Sequence, residues 1–359
     1  MRELKAAVIG TGGAARLHAA AYAGGGQTRL VGVVSGNKAR ADGFAAEFGG
    51  LESGVRGYAS GYTSVEEMLE KERPDVVSVA TLEWDHEAPV LAALEAGCHV
   101  LCEKPMAHTL AAGERMVVAA KRAGRTLGVN FNYRSVPSHG LIQSELERGG
   151  FGRLGLFSAH MHAYLWPHLL DLLRYFFGDP VEVTAALVDD QALRPPVSGG
   201  PRGRAWEYQP QRAKLAGDPN YCGEFQSELL YHPSVAVAAT FRFRDPEFIA
   251  TMSGSALIPL EQNFWSFALY GSEDALVVDR ATRANLNGAA SLGKLAERIA
   301  ELKACSYEES FALSVGSFVD SLTQGRTAPV TGEDGLAEMR LDAVIVEAAR
   351  TGRSVSFSD

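Results

Sequence analysis

The sequence predicts an α/β fold in which a doubly wound parallel sheet is followed by an α+β domain with a large, mostly antiparallel sheet. In roughly the first third, short and continuously apolar runs alternate with alanine-rich helical stretches, which is typical of parallel strands covered on both faces. Beyond about residue 130, apolar and polar residues alternate with period two, which is typical of an antiparallel sheet packed on one face. At 359 residues the chain is longer than a domain with a single hydrophobic core usually is, so two domains are expected, residues 1–125 and 126–359.

The first domain and the strand that follows it are expected to alternate strands and helices. The predicted strands are Leu4–Ile9, Leu30–Val34, Val76–Ala80, His99–Cys102 and Thr126–Asn130. The predicted helices are Ala14–Tyr22, Lys38–Phe48, Val65–Glu72, Ala88–Ala96 and Leu110–Ala123. Pro74 stops the third helix, while Gly97 and Gly124 supply the residue type that most easily ends a helix in the left-handed conformation.

The second domain is expected to consist of strands with a few helices packed against them. The predicted strands are Leu154–His162, Val181–Leu187, Val235–Phe243, Phe248–Ser255, Phe264–Tyr270 and Ala275–Val278. The predicted helices are Trp166–Phe177, Phe311–Thr323 and Asp334–Thr351. The segment Arg194–Asp218, rich in Pro, Gly and Arg, is too long for a simple turn. It is either a solvated surface loop or a lid or subunit contact.

Composition excludes several classes of function. The 43 acidic residues outnumber the 34 basic ones and give a net charge of −9, which argues against a general affinity for nucleic acid or anionic membranes. The four cysteines, Cys98, Cys102, Cys222 and Cys305, have neither metal-ligand spacing nor the density of a disulfide framework. The first apolar run is too short for a signal peptide, and no run approaches the roughly 20 residues of a membrane span. A protein of the reducing cytoplasm is expected.

A glycine-rich turn follows the first predicted strand directly and opens the first predicted helix. Gly10 permits the tight turn, Gly12 lets the backbone approach a pyrophosphate, and Ala15 is small enough for close packing of helix and strand. The helix then offers unpaired N–H groups and a positive dipole end to phosphates. The expected dinucleotide contacts are Gly10, Gly12, Gly13, Ala14 and Ala15. The motif predicts a Rossmann domain; a turn of small residues that binds no ligand is the alternative.

The end of the second strand bears on the choice between NAD and NADP. An acidic residue there would bind the ribose 2′-hydroxyl of NAD, but the residues from position 35 to 40 include no carboxylate. A 2′-phosphate would instead be accepted by Ser35, Asn37, Lys38 and Arg40, with Gly36 between them. The pattern favours NADP over NAD, unless Lys38 and Arg40 are only the solvated start of a helix.

A Glu-Lys-Pro tripeptide, Glu103 to Pro105, lies at the carboxyl end of a predicted parallel strand, where open α/β sheets bind ligands. A lysine beside a nicotinamide ring can stabilise a developing alkoxide or exchange a proton with it. Pro105 fits a tight turn with a cis peptide bond that directs Lys104. In isolation the tripeptide is a common surface turn, so its context decides the interpretation.

In context, the sequence resembles the Gfo/Idh/MocA family, named for glucose–fructose oxidoreductase and inositol dehydrogenase. The motifs that carry the resemblance run nearly from end to end of the chain: Gly10–Ala15 with His18 after it, Pro74–Val77 before the turn Thr81–His86, Ala96–Pro105, Asn130–Arg134, His168–Tyr175, Tyr270–Glu273, Thr331–Gly335 and Thr351–Arg353. Ala96–Pro105 is the most specific of them.

The resemblance implies hydride transfer between a nicotinamide cofactor and a carbinol or carbonyl of a sugar, cyclitol or related polyol. It also implies that Lys104 and His168 act near the reacting carbon, His168 as an acid or base with an ordinary pKa near 6.5, with Asp171 in support. Family members have an exposed sheet face, which implies pairing of subunits into a homodimer or homotetramer.

One departure from the family pattern affects the expected mechanism. Many members carry an aspartate four residues before the histidine, in a D-x-G-x-H pattern, where this chain has Tyr164 and Trp166. Either Tyr164 takes over a hydrogen-bonding or proton-transfer role, or the pocket serves a different substrate.

The remaining candidates follow strand ends. Thr81, His86, Glu103 and Asn130 are expected to contact the cofactor, and Tyr133, Arg134 and His162 the substrate. For Asn130, Tyr133 and Arg134, packing between domains is an equal alternative. Trp206 and Tyr221 either stack on a sugar ring or belong to the core. His160 and His162 share a strand face by their spacing, but no metal is expected.

Two other functions remain open at this level. One is an enzyme that keeps its cofactor and oxidises the substrate transiently during epimerisation, elimination or glycoside cleavage. The other is a dinucleotide-binding sensor without activity, suggested by the missing aspartate. The expected small-molecule partner is a polyol or sugar, with no nucleic acid and no membrane.

Overall fold

The computed structural model describes residues 3–48, 59–162, 165–189, 235–255 and 265–357. Contacts divide the chain into two units, Met1–Ser135 with Glu308–Ala337, and Val136–Tyr307 with Glu338–Asp359. The sequence indicates a boundary at residues 125 and 126 and gives no sign that a late segment joins the first unit. Tyr164, Trp206, Tyr221, Cys222 and the segment Arg194–Asp218 lie outside the described residues.

The first unit contains a parallel sheet with the strand order of a doubly wound fold. Up to residue 129 its elements are β1 (Leu4–Ile9), α1 (Gly13–Gly24), β2 (Thr28–Val34), α2 (Lys38–Phe48), β3 (Ser60–Tyr62), α3 (Val65–Glu72), β4 (Val76–Val79), α4 (Glu87–Glu95), β5 (His99–Cys102), α5 (Leu110–Ala123) and β6 (Leu127–Val129). The order β3-β2-β1-β4-β5-β6 reverses between β1 and β4, and ligands bind at such a reversal. The predicted doubly wound sheet is confirmed; β3, with three residues, was not predicted.

The helices of this unit begin and end where side chains satisfy the terminal backbone groups. The hydroxyls of Ser64 and Thr109 accept from backbone N–H groups in the first turns of α3 and α5, as N-cap residues do. Gly97 follows α4 with φ +83°, and Gly124 ends α5 with φ +60°. Both predicted glycine ends therefore adopt the left-handed conformation.

The second unit is a mixed sheet of eight strands with helices packed against it. Its elements are α6 (Pro137–Glu147), β7 (Leu154–His162), α7 (Trp166–Phe177), β8 (Glu182–Asp189), β9 (Val235–Arg244), β10 (Glu247–Ser255), β11 (Trp265–Gly271), β12 (Ala275–Ala281), β13 (Ala289–Ser291) and α8 (Gly293–Ala300). The chain then forms α9 (Tyr307–Thr323), α10 (Gly332–Thr351) and β14 (Val355–Ser356). The strand order is β13-β12-β11-β7-β10-β9-β8-β14, and the pairing of β10 with β7 is parallel, whereas the other described pairings are antiparallel. The predicted, mostly antiparallel sheet is confirmed.

The segment Glu308–Ala337 completes the core of the first unit. Val315, Phe318 and Val319 of α9, with Ala328 after it, join the buried cluster under β1 and β2. Gly128 of β6 is required here, because a Cβ at that position would lie 2.6 Å from the Phe318 ring. This late segment is therefore part of the first unit's hydrophobic core.

Asp342 of α10 lies in the core of the second unit and is 1% exposed. Among the described residues, neither carboxylate oxygen has a hydrogen bond of good geometry. Burial raises the pKa of Asp342 well above its usual range, against a smaller opposing effect of the Trp166 indole. The folded state therefore holds a proton that the unfolded chain releases at an ordinary carboxyl pKa.

Replacing Asp342 by asparagine is expected to stabilise the protein at neutral pH. Folding raises the pKa of Asp342. Below the unfolded pKa of about 3.9, the carboxyl group is protonated in both states and its burial leaves the free energy of unfolding unchanged. As the pH rises from there toward the folded pKa, the free energy of unfolding falls. We expect a melting temperature about 2–4 °C higher than wild type at neutral pH, the change that about 1 kcal/mol gives in a domain of this size. The gain should shrink on acidification. Glu95→Gln, at an exposed carboxylate of α4, is the control, and a gain that does not depend on pH would contradict the argument.

Candidate active site

Five strands of the parallel sheet end at the same level. Ile9 of β1 pairs with Val34 of β2 and with Val79 of β4, and Cys102 of β5 pairs with Val79 and with Val129 of β6. Neighbouring strands lie about 4.8 Å apart, so the turns after β1 and β5 are about 10 Å apart. The predicted motifs after these strands therefore lie along one edge of the sheet.

The glycine turn leaves open space in front of α1. Gly10 has φ +114°, and a Cβ there would lie 2.4 Å from the carbonyl oxygen of Ala80. Gly12 and Gly13 differ, since a Cβ on either would meet nothing within 4 Å. Ala15 is fully buried, as predicted from its packing role. The absence of a side chain at Gly10 thus allows the turn after β1 to lie against the end of β4. Gly12 and Gly13 leave open space above the first turn of α1, where a pyrophosphate would fit.

The turn after β2 contacts the glycine turn. The Ser35 hydroxyl lies 3.3 Å from the Thr11 hydroxyl, and the Ser35 N–H donates to the carbonyl oxygen of Tyr62. The side-chain oxygen of Asn37 accepts from the backbone N–H of Arg40 at 3.0 Å, so it caps α2. Gly36 is exposed beside them.

The two cations at the start of α2 are both exposed. Lys38 Nζ contacts Asp42 Oδ1 and Oδ2 at 2.6 and 2.7 Å, but an exposed pair of this kind contributes at most about 1 kcal/mol. A phosphate could therefore compete for Lys38 at little cost. Arg40 lies one turn before Phe44, whose side chain is in the core, so the backbone that carries Arg40 is anchored.

Glu103 and Lys104 directly follow β5, and the peptide bond between Lys104 and Pro105 is cis, as the sequence suggested. Glu103 is 7% exposed and its Oε1 accepts hydrogen bonds from His18 Nε2 at 2.7 Å and Asn130 Nδ2 at 2.6 Å. Burial raises the pKa of Glu103, but the hydrogen bonds from His18 and Asn130, together with the charge of Lys104, outweigh it and hold the pKa below its ordinary range. Glu103 is an ionised carboxylate beside a half-buried lysine.

His86 supports the Glu-Lys-Pro turn, and its Nε2 lies 3.4 Å from the carbonyl oxygen of Thr81. The His86 ring is 1% exposed, and its Nδ1 donates to the carbonyl oxygens of Pro105 and Met106 at 3.1 and 3.2 Å. Thr81 follows β4, and its hydroxyl donates to the carbonyl oxygen of Asp85. The ring of His86 holds the chain after Lys104 in place, and the cofactor contacts predicted for both residues stay predictions.

Tyr133 and Arg134, predicted substrate contacts, lie in a short 3-10 helix of the first unit. Tyr133 is 1% exposed. Arg134 Nη2 donates to Asp334 Oδ1 at 3.3 Å, and Asp334 Oδ2 accepts from the N–H and the hydroxyl of Thr331 at the start of α10. Arg134 therefore links the 3-10 helix to the late segment of the same unit.

Within the second unit, three predicted site residues are buried: His162, His168 and Asp171, which are 5%, 2% and 0% exposed. His168 lies in the first turn of α7, and Asp171 lies nearly one turn later on the same helix. His160 on β7 is exposed, and its Nδ1 lies 2.8 Å from the Ser253 hydroxyl. The two strand histidines thus differ in burial. Within the described residues, no group of three or more His, Cys, Asp or Glu could hold a metal ion.

Sequence reasoning missed the residues that surround Glu103. His18 was noted only as part of a motif, and Ser78, Tyr22 and Ser314 were not singled out. Their partners lie far away in the sequence, so no local spacing brings them together. The one available signal was that His18 and Tyr22 are separated by four residues, which places them on the same face of α1.

Comparisons with known proteins support a nucleotide-binding N-terminal domain. Residues 4–131 match the model of an oxidoreductase family with an NAD-binding Rossmann fold. The chain is similar to 1,5-anhydro-D-fructose reductase of Ensifer adhaerens, with 29% identity over 87% of this chain and 89% of that protein. It is also similar to D-glucoside 3-dehydrogenase of Escherichia coli (strain K12), with 32% identity over 42% of this chain. That second match spans only 41% of the relative.

The whole fold is similar to that of a solved structure, levoglucosan dehydrogenase in complex with NADH and levoglucosan. The TM-score is 0.78 and the match covers 100% of both chains, at 20% sequence identity. At that identity the similarity establishes the fold. Separately, none of the described helices is long and apolar enough to cross a bilayer.

Proposed function

We propose that this chain, whose residues 4–131 match the model of the Gfo/Idh/MocA oxidoreductase family, transfers a hydride between a nicotinamide dinucleotide and its substrate. The reacting group is a carbinol or carbonyl carbon of a sugar, cyclitol or related polyol. The sugar reductase and the glucoside dehydrogenase to which the chain is similar support this substrate class.

The observation that carries the proposal is the level edge of the parallel sheet. It places the open glycine turn after β1 and Lys104 after β5 about 10 Å apart, on either side of the strand reversal where doubly wound sheets bind dinucleotides. The space before α1 fits a pyrophosphate. At the other strand end, the ionised carboxylate of Glu103 immediately precedes Lys104 in the chain.

The residues of the chain then bind the partners and move the proton. The bound nicotinamide supplies or accepts the hydride. We propose that the ammonium group of Lys104 donates a proton to the substrate oxygen as the carbonyl carbon is reduced, and that the Lys104 amine accepts it in the reverse direction. His168 is the proposed second acid or base, Tyr164 a further proton-transfer candidate, and Tyr133, Arg134, His162 and Asp171 the proposed substrate contacts.

The test is a turnover screen of polyols and keto-sugars with both nicotinamide cofactors, followed by absorbance of the reduced ring. We expect oxidation of at least one polyol, or reduction of the matching ketone, with stoichiometric change of the free cofactor. Substrate conversion with no change in bulk cofactor would instead establish transient oxidation by a retained cofactor. Dinucleotide binding with no conversion of any substrate would favour a sensor.

We further propose a preference for NADP over NAD. The turn after β2 has no carboxylate to repel a 2′-phosphate, and Arg40 is exposed beside it. A charge-assisted hydrogen bond of about 1.5–3 kcal/mol corresponds to roughly 10- to 100-fold in affinity. Arg40→Ala should therefore weaken NADPH binding by that factor and leave NADH binding unchanged, as measured by calorimetric titration. Arg122→Ala, at an exposed arginine of α5, is the control, and tighter binding of NADH by the wild type would contradict the preference.

For the assembly, we propose that a second copy of the chain covers the open face of the eight-stranded sheet. The cross-strand rows Ala268-Ser158-Thr251-Thr240 and Ser266-His160-Ser253-Ala238 line a concavity of about 780 Å³. The adjacent row holds Tyr270, Leu156 and Ile249, which are 41%, 37% and 45% exposed. A shallow face of small side chains beside exposed apolar ones is suited to sheet-on-sheet packing, and one patch that meets itself gives a symmetric dimer.

Leu156→Glu should break this association. Leu156 lies between Tyr270 and Ile249 in the exposed apolar row, so a charge there would be buried unpaired in the dimer. We expect the variant to sediment as a monomer while the wild type sediments as a dimer or tetramer. Val118→Glu, at an apolar residue of α5 that is 63% exposed, is the matched control and should leave the mass unchanged. A monomeric wild type would refute the proposed assembly.

We place this activity in the cytoplasm. Cys98, Cys102 and Cys305 are buried free thiols, and burial raises the pKa of Cys98 to about 11, which leaves it a poor nucleophile. Unpaired cysteines are typical of a reducing compartment.

A further inference from the structure

A chain of buried side chains leads away from Glu103 into the first unit. Glu103 Oε1 lies 2.7 Å from His18 Nε2, His18 Nδ1 lies 2.9 Å from the Ser78 hydroxyl, and that hydroxyl lies 2.8 Å from the Tyr22 hydroxyl. His18, Ser78 and Tyr22 are all 0% exposed. The chain therefore connects α1 and β4 to the residue before Lys104, without contact with bulk water.

A second branch fixes the other donor to Glu103. The Ser314 hydroxyl of α9 donates to Asn130 Oδ1 at 2.8 Å, which orients the amide so that Asn130 Nδ2 donates to Glu103 Oε1 at 2.6 Å. His18 Nε2 and Asn130 Nδ2 lie 3.3 Å apart, because both point at the same oxygen. An ionised carboxylate only accepts hydrogen bonds, so His18 must carry its hydrogen on Nε2.

The hydrogen on Tyr22 decides the state of the other ring nitrogen. A buried phenol donates its hydrogen to an acceptor, and in the described part of the chain the hydroxyl of Tyr22 has its hydrogen bond with Ser78. If Tyr22 donates to Ser78, the single hydrogen of the Ser78 hydroxyl is directed to His18 Nδ1, which must then accept. The donors run in one direction, from Tyr22 through Ser78 and His18 to Glu103, and the ring of His18 is neutral with its hydrogen on Nε2.

We propose that His18 is a positioning residue for the hydride-transfer reaction, whose neutral Nε2–H ring, set by Tyr22 and Ser78, fixes the Glu103 carboxylate beside Lys104. The catalytic part of this inference rests on the proposed function, whereas the part that concerns the hydrogen on the His18 ring does not. The carboxylate supplies a negative charge of fixed position in a site of low dielectric constant, where such charges act strongly. Lys104, the proposed donor of the proton to the reduced substrate oxygen, follows this carboxylate directly in the chain.

The ionisable groups next to Glu103 determine which residues a pH-dependent change at this site can report on. Apart from His18 and Lys104, the neighbouring ionisable group is the Cys102 thiol, whose pKa is raised well above its ordinary value by burial and further by the charge of Glu103. Asn130, Ser314 and Ser78 are neutral, and the edge of the His18 ring contacts Phe311 at 5.6 Å between centroids. Among the described residues, a pH effect that follows a change at His18 therefore reports on Glu103 and Lys104.

The kinetic test compares two substitutions of His18. Gln places an amide nitrogen near the position of Nε2 and keeps the hydrogen bond to Glu103, whereas Leu removes it. Loss of a hydrogen bond to a charged group corresponds to a shift of about one pH unit. In His18→Leu, we expect the acid limb of the kcat profile to move to higher pH by about one unit, with cofactor Kd changed less than about threefold. His18→Gln should restore the wild-type profile. An unshifted profile in a folded His18→Leu protein overturns the inference.

A second measurement does not depend on turnover. Selective ¹⁵N labelling of the nine histidines allows the His18 signal to be identified by its loss in His18→Gln. In the ligand-free wild type we expect a neutral ring protonated at Nε2. In Tyr22→Phe, which removes the first donor, the Ser78 hydroxyl is free to turn away from Nδ1, so the Nδ1 signal should lose the shift that an accepted hydrogen bond gives it. A wild-type ring protonated at Nδ1 refutes the inference, whereas absence of turnover by the wild type refutes only the proposed function.

Discussion

Lys104→Ala should reduce kcat by about 10²–10⁴-fold, the contribution expected of one positioned general acid, and should leave dinucleotide affinity within a few-fold of wild type. The reason is that, in the proposed function, Lys104 provides the proton for the substrate oxygen, while the phosphates would be bound about 10 Å away at the glycine turn. Saturation kinetics with the polyol identified by the screen gives kcat, and quenching of protein fluorescence gives the cofactor Kd.

Two further variants make this result specific. Lys104→Arg keeps a positive charge but cannot release a proton near neutral pH, so it should lose nearly as much activity as Lys104→Ala. Lys71→Ala removes a lysine that is 60% exposed on α3 and paired with Glu67, and should behave as wild type. If kcat of Lys104→Ala fell by less than about tenfold, this residue would not be the proton donor.

Gly12→Val should abolish dinucleotide binding while the protein remains folded. Gly12 has φ −81° and ψ −171°, which valine adopts readily, and a Cβ there meets nothing within 4 Å. The branched side chain would fill the space above the first turn of α1 and keep a phosphate from its N–H groups. We expect the Kd to rise at least about 100-fold, equivalent to about 2.7 kcal/mol, at a cost of roughly 1 kcal/mol in stability from the poorer helix cap.

The neighbouring glycine is the informative contrast. Gly10→Ala would place a methyl group 2.4 Å from the carbonyl oxygen of Ala80 on a backbone with φ +114°, so it should reduce stability as well as binding. Gly140→Val, in α6 with open space around it, controls for added bulk. Retained NADPH or NADH affinity in Gly12→Val would place the dinucleotide elsewhere and refute the proposed site.

The sequence predicted those elements whose signals are local. The strands β1, β5 and β7 and the helices α2, α3 and α7 have the predicted bounds, because continuous or alternating apolar runs and capping residues determine them. The short strands β3, β13 and β14 were missed since two or three residues carry no period. Helix α6 begins with proline at its first position, a start signal that was present in the sequence and was not used.

For the candidate site, the sequence located the residues at the strand ends but not what surrounds them. The glycine turn and Lys104 follow from strand-turn-helix patterns, whereas the hydrogen bond between Ser314 and Asn130 joins residues 184 positions apart. His86 illustrates the same limit. Its position after β4 suggested a cofactor contact, and only the fold places the ring against the carbonyl groups after Lys104.

The return of residues 308–337 to the first unit has a consequence for synthesis on the ribosome. Val315, Phe318 and Val319 are translated long after the strands that they cover. A nascent chain that ends before α9 therefore leaves apolar surface under β1 and β2 exposed to solvent, although all six strands of its sheet already exist. The nucleotide-binding unit matures only when nearly the whole polypeptide has emerged, so premature termination anywhere in the second unit yields a product open to chaperones and proteases rather than an independent binding module.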